Sequence, residues 1–163
     1  MDCNQIVETL KKRKYFGPRD YYAFGNVTIK TVTPPSFGKN LSTHLASGAF
    51  ALLTTAVVGF GVVFGAASEV ETIDAFCVIK ASMDKISFVI VDDKNNICEH
   101  KVFIEKQQVE SVYAWRSSIT LNCGNETIII TMPKKIAGYN QKQNIRDVTG
   151  FIETIYGKSF LGL

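Results

Sequence analysis

Residues 102–133 read VFIEKQQVESVYAWRSSITLNCGNETIIITMP, and the spacing of their side chains decides the fold. From Ser118 to Cys123, Ile119, Leu121 and Cys123 fall on one face and Ser118, Thr120 and Asn122 on the other. That period of two is the mark of a half-buried strand. Gly124-Asn125 then supplies a hairpin turn, and Thr127 to Met132 reads as the returning strand, stopped by Pro133. Upstream, Lys101 to Ile104 and Val109 to Trp115 are two more strand candidates.

The same character extends outward. Ile73 to Lys80 (IDAFCVIK) and Ile86 to Val91 (ISFVIV) are short apolar runs, separated by Ser82-Met83-Asp84 and followed by the turn residues Asp92 to Asn96. After Pro133 the period lengthens. Ile145, Val148, Ile152 and Ile155 fall on one helical stripe between Gln141 and Tyr156, with Phe151 beside it and Gly157 at the C-cap position. Residues 69–163 are therefore expected to form an α+β module, a small antiparallel barrel or sandwich capped by its C-terminal helix. Residues 1–40 are expected to hold a basic helix, a strand and a linker. Ile6, Val7 and Leu10 mark the helix and Gly17-Pro18 ends it. Asp20 to Thr31 reads as a strand, or a bent pair around Gly25-Asn26, before a linker at Pro34-Pro35, Gly38 and Asn40.

Residues 41–68 stand apart. Leu45 to Ala67 reads LASGAFALLTTAVVGFGVVFGAA, with no ionisable side chain between His44 and Glu69. As one helix it would rise about 34 Å, enough to cross a hydrocarbon core of about 30 Å. Ser47, Ala51, Thr55 and Gly59 form a four-step stripe of small residues, and Gly61 and Gly65 form a GxxxG on a neighbouring face. Such stripes let helices pack closely. The reading is a Gly/Ala-rich helix or helical hairpin, covered by lipid or by a second copy of the chain. A core helix of the chain itself is the alternative. The run Lys11, Lys12, Arg13 and Lys14 would then lie on anionic lipid. The expected location is a membrane, on its cytoplasmic side if the segment is a hairpin. Met1 to Tyr15 has no apolar core, so no secretory signal is expected there.

The stretch from Val102 to Pro133, followed by a helix with FIETIY near its end, resembles the second half of a bacterial pleckstrin-homology-like domain. In that family a strand leads into an xIxxV phrase, matched here by Gln108-Val109-Glu110-Ser111-Val112, and two short strands and a capping helix follow. The resemblance covers about Ile73 to Tyr156. It implies a module that binds a partner, and several such families carry hydrophobic helices beside the domain. The family's lipid-binding members use a basic cluster between their first two strands. The matching loop, taken as Ala81 to Lys85, has only Lys80 and Lys85 around Asp84, so lipid-headgroup binding is not carried over.

Chemistry is sparse. His44 and His100 are the only histidines, and Cys98 and His100 could share a strand face as a thiol–imidazole pair without a third group. Cys3, Cys77, Cys98 and Cys123 contain no CxxC spacing, so neither a metal nor any other cofactor is expected. A net charge of +3, from 18 basic and 15 acidic residues, gives no ground for nucleic acid as the main partner. The expected function is a membrane-associated, non-enzymatic adaptor or scaffold. The alternatives are a soluble homo-oligomer that buries the apolar helix between subunits, and a pore-forming effector. The expected partners are a bilayer, a second copy through the apolar helix and an unspecified protein.

Overall fold

The computed structural model describes residues 2–33, 62–65 and 69–157. At its centre Tyr21–Thr33 forms one thirteen-residue strand, β1. Aromatic and β-branched residues favour that extended form, and successive side chains enter opposite layers. Ala23, Val27 and Ile29 face one core and Phe24 faces another. Five further strands follow in sequence: β2 (Val62–Gly65), β3 (Glu69–Ala81), β4 (Lys85–Val91), β5 (Ile97–Glu105) and β6 (Ser111–Trp115). Strands β7 (Ser118–Cys123) and β8 (Glu126–Thr131) complete the sheet.

The antiparallel sheet runs β5-β4-β3-β1-β8-β7-β6, with β2 paired to β3 off that path. Two meanders, β3-β4-β5 and β6-β7-β8, thus meet on the two edges of β1. β3 pairs with the whole of β1, from Tyr21↔Ala81 to Thr33↔Glu69. β8 covers only Asn26↔Thr131 to Thr31↔Glu126. A tight hairpin of β9 (Lys135–Ile136) and β10 (Tyr139–Asn140) then leads into the C-terminal helix α2, Lys142–Tyr156. Its turn is Ala137-Gly138, both at positive φ.

Helix α2 closes the inner face of the sheet. Ile145, Val148, Ile152 and Tyr156 are buried against Phe88, Ile119, Leu121 and their neighbours, and Tyr156 donates its hydroxyl proton to the Ser82 carbonyl at 2.5 Å. The outer face of β3 and β4 is covered too. The N-terminal helix α1, Cys3–Lys12, lays Cys3, Ile6, Val7 and Leu10 over Phe24, Val78, Val89 and Val91. Strand β4 is therefore buried on both sides from Ile86 to Val91, which explains its unbroken apolar run. Asp2 caps α1 by accepting from the Gln5 N–H at 3.1 Å. The helix ends in a Schellman motif, with Tyr15 N–H on the Leu10 carbonyl at 3.0 Å and Lys14 N–H on the Lys11 carbonyl at 2.9 Å. Lys14 takes the left-handed conformation this needs, at φ 53°. The helix thus stops ahead of Gly17-Pro18.

A continuous helix from Leu45 to Ala67 does not form, because Val62–Gly65 is a strand. It pairs with β3 from Val62↔Ile73 to Gly65↔Val70. The cause lies in β3, which pairs with β4 only from Cys77 to Ala81 and leaves the rest of that edge open. A β-branched, aromatic run such as Val62-Val63-Phe64 fits an open edge well. Gly65 is therefore a strand residue and cannot complete a helical GxxxG. Ser47, Ala51, Thr55, Gly59 and Gly61 lie outside the described residues. Among the described residues, no helix is long and apolar enough to cross a membrane, which overturns the expected transmembrane helix.

Gly25 lies where β8 ends against β1, and the chain runs straight through it. A Cβ there would sit 2.8 Å from the Thr131 carbonyl oxygen and 3.0 Å from Ile79 Cδ1. Gly25→Ala should therefore cost about 1–3 kcal/mol of stability, read as a lower urea midpoint with an unchanged slope.

Candidate functional site

The site is built by Gln141, a residue with no exposure. β8 leaves β1 at Asn26, so the backbone of Phe24 has no strand beside it on that edge. Gln141 takes the strand's place. Its Oε1 accepts from Phe24 N–H at 2.8 Å, and its Nε2 donates to the Phe24 carbonyl at 2.9 Å and to the Pro133 carbonyl at 2.6 Å. Its own N–H donates to the Lys134 carbonyl at 3.1 Å. The β9–β10 excursion is thereby closed at its base, which brings Lys134 beside the start of α2. Asn140 accepts from Lys142 N–H at 3.1 Å and helps to fix the first turn.

Across from this base lies the two-residue turn Arg116-Ser117 between β6 and β7. Trp115↔Ser118 is the last pair of that hairpin, and the Ser117 carbonyl accepts from Met132 N–H at 2.8 Å. Arg116 holds φ at 55°. Glycine, asparagine or aspartate is the usual choice for such a turn, and a longer side chain there costs about 1 kcal/mol. What the strained position delivers is a guanidinium aimed beside α2. Lys142 and Arg146 are one turn apart on that helix and share a face.

The result is a cavity of about 490 Å³ lined by Arg116, Ser117, Lys134, Lys142, Ile145 and Arg146. Among the described residues, no carboxylate lines it. The ion pairs of the described residues, Lys11–Glu8 at 3.5 Å and Lys80–Asp20 at 3.8 Å, leave all four cations out. Four like charges around one concavity raise its potential, and an anion entering it gains charge-assisted hydrogen bonds. All four are solvent-exposed, so salt screens that attraction.

The residues expected from sequence lie elsewhere. Lys11, Lys12, Arg13 and Lys14 are all exposed around the end of α1 and take no part in this cavity. His44 lies outside the described residues. Cys98 is half-buried, and burial together with Asp92 raises its thiol above the ordinary range. It stays protonated near neutrality and is a poor nucleophile. Cys123 is pushed up to about 12 by burial, then by Glu126 and Glu110. All four cysteines are free thiols. No group of three or more His, Cys, Asp or Glu among the described residues could hold a metal ion.

Spacing in sequence conceals the cation cluster, because its members come from a turn, a loop and a helix. One signal was legible: an arginine standing where a tight hairpin prefers glycine. Arg116→Gly should raise the unfolding free energy by about 1 kcal/mol. Gln141→Leu should lower the unfolding free energy by about 3 kcal/mol, since it leaves the Phe24 N–H and two carbonyls without this partner. Both shifts are measurable by urea titration. No protein-family model matches the chain, and a comparison with curated proteins gives no match, so the chemistry of the site rests on its own residues.

Proposed function

We propose that the protein is a non-catalytic binding module of pleckstrin-homology-like type, and that its ligand is anionic and enters the cavity between the β6–β7 turn and α2. The strand order supports the fold reading, since two three-stranded meanders share β1 between them and α2 packs on the core they form. In the phrase Gln108–Val112, Val109 is buried and Val112 packs against the core. Counted along this sheet, the first two full-length strands are β1 and β3. The segment that joins them is then 34–68, which contains β2, in place of Ala81 to Lys85. The cation cluster described above is a different place, at the opposite end of the chain.

One observation carries the functional reading: four cations surround a cavity that, among the described residues, no carboxylate lines. Guanidinium and ammonium groups hold an anion by charge and by N–H donation. The lining groups offer binding and orientation, with Ser117 as the one neutral hydroxyl. A volume of this order suits an organic anion or a charged side group of a larger partner.

The chain has one tryptophan, Trp115, and the Arg116 guanidinium carbon lies 5.6 Å from its ring centroid. Its emission therefore reports on the cavity. Titration with inorganic pyrophosphate at low ionic strength should change that emission saturably, and added salt should weaken the response. Arg146→Glu should abolish it with the circular dichroism spectrum unchanged. A flat titration of the unaltered protein at low salt would refute anion binding.

A further inference from the structure

Trp115 stands next to this cavity, beside Arg116, and Tyr113 lies two residues back on the same face of β6. The side chains of Tyr113 and Trp115 are 63% and 61% exposed, while Val112 and Ala114 on the other face of β6 pack against the core. On the outer face their cross-strand partners are Thr120 and Ser118. These four residues line a shallow groove of about 310 Å³. The same face continues across β8 and β1 through Ile129 and Thr131, then Thr28 and Asn26. Two large rings thus rise at the sheet edge above small polar side chains, on the half of the sheet that α1 does not cover.

Arg116 joins the two features. Its guanidinium lies against the Trp115 ring and also lines the cation cavity. An isolated anion has no use for two bare rings. A ligand that alternates phosphates with planar groups would use both. Rings at positions i and i+2 of a strand are about 6.6 Å apart, a step that an extended, unstacked nucleotide chain can span. Base–aromatic stacking beside a basic groove is a sequence-tolerant way to hold such a chain. A duplex would hide its base faces and leave the rings idle. An acidic protein segment would satisfy the cations but offers no regular series of planar groups.

We infer that the ligand is single-stranded nucleic acid, with bases stacked on Trp115 and Tyr113 and the adjoining phosphate held by Arg116, Lys134, Lys142 and Arg146. This rests on the anion-binding reading above. The modest net charge of +3 is no obstacle, because the cations are concentrated where the rings are. Stacking recognises any base by its face, so affinity depends on single-strandedness and salt more than on sequence.

The test compares two end-labelled oligomers by fluorescence anisotropy on the full chain. One is an oligothymidylate of about ten nucleotides, within the usual site sizes, and the other is an abasic deoxyribose-phosphate chain of the same length and charge. The oligothymidylate should bind about tenfold tighter than the abasic chain, and Tyr113→Ala or Trp115→Ala should each remove most of that difference. Both side chains are exposed, and Trp115→Phe, which keeps a ring, should restore most of the affinity. Equal binding of the two oligomers would overturn the stacking inference and leave anion binding standing. Failure of both oligomers and of pyrophosphate would remove both readings. Tighter binding of a phosphorylated peptide of equal charge would assign the cavity to a protein partner and overturn nucleic acid.

Discussion

β1 runs through the middle of the sheet with Ala23, Phe24, Gly25, Val27 and Ile29 buried, so the backbone groups on both its edges need partners. β3 provides for one edge over the full thirteen residues. The other edge is shared, first by β8 and then, at Phe24, by the side chain of Gln141. That amide does the work of a missing strand residue, and it also sets the point at which α2 begins. The rest follows from that point: which helical faces reach the inner core, and where Lys142 and Arg146 stand relative to the β6–β7 turn. The cation cavity is in this sense a by-product of satisfying one strand.

The two halves of the sheet are treated differently on the outside. Over β3 and β4, α1 supplies an apolar cover, and the chain leaving α1 is tied down by Lys80. That ammonium is only 11% exposed, donates to the Tyr15 carbonyl at 3.0 Å, lies 4.1 Å from the Tyr15 ring centroid and pairs with Asp20. A largely buried cation held by three groups is costly to strand, so α1 and β3 are expected to come apart only together. Over β6 and β7 neither helix of the described residues lies, and the residues on that face are mostly Ser, Thr and Asn. Tyr113 and Trp115 are the exceptions, and Trp115 lies against Arg116 of the cavity. The two halves thus differ: α1 closes one, and the other carries exposed rings beside a cluster of four cations.

Much of this was readable from the chain. The alternation in Ser118–Cys123 marks β7 to the residue, and the hairpin signal at Gly124-Asn125 separates it from β8. Ile145, Val148 and Ile152 on α2 and Ile6, Val7 and Leu10 on α1 are buried as their periods require. Val62–Gly65 was misread because a Gly-rich apolar run carries no period, and its pairing depends on an edge of β3 that only the tertiary structure leaves open. The start of β5 was hidden by the polar triplet Cys98-Glu99-His100. The cavity was hidden for another reason: Arg116, Lys134 and Lys142 are distant in sequence and are assembled by Gln141, whose burial no local pattern announces.

The ladder between β1 and β3 reaches as far as Thr33↔Glu69, well beyond the last β4 partner at Cys77. Thr33 and Glu69 therefore leave the sheet as cross-strand neighbours, about 5 Å apart. Whatever chain connects them is a detour that starts and ends at one place. Each doubling of such a detour adds only about 0.6 kcal/mol of closure entropy. The sheet thus acts as a socket whose connecting segment can be lengthened or trimmed in evolution at small cost while β1, β3, both helices and the cavity keep their positions.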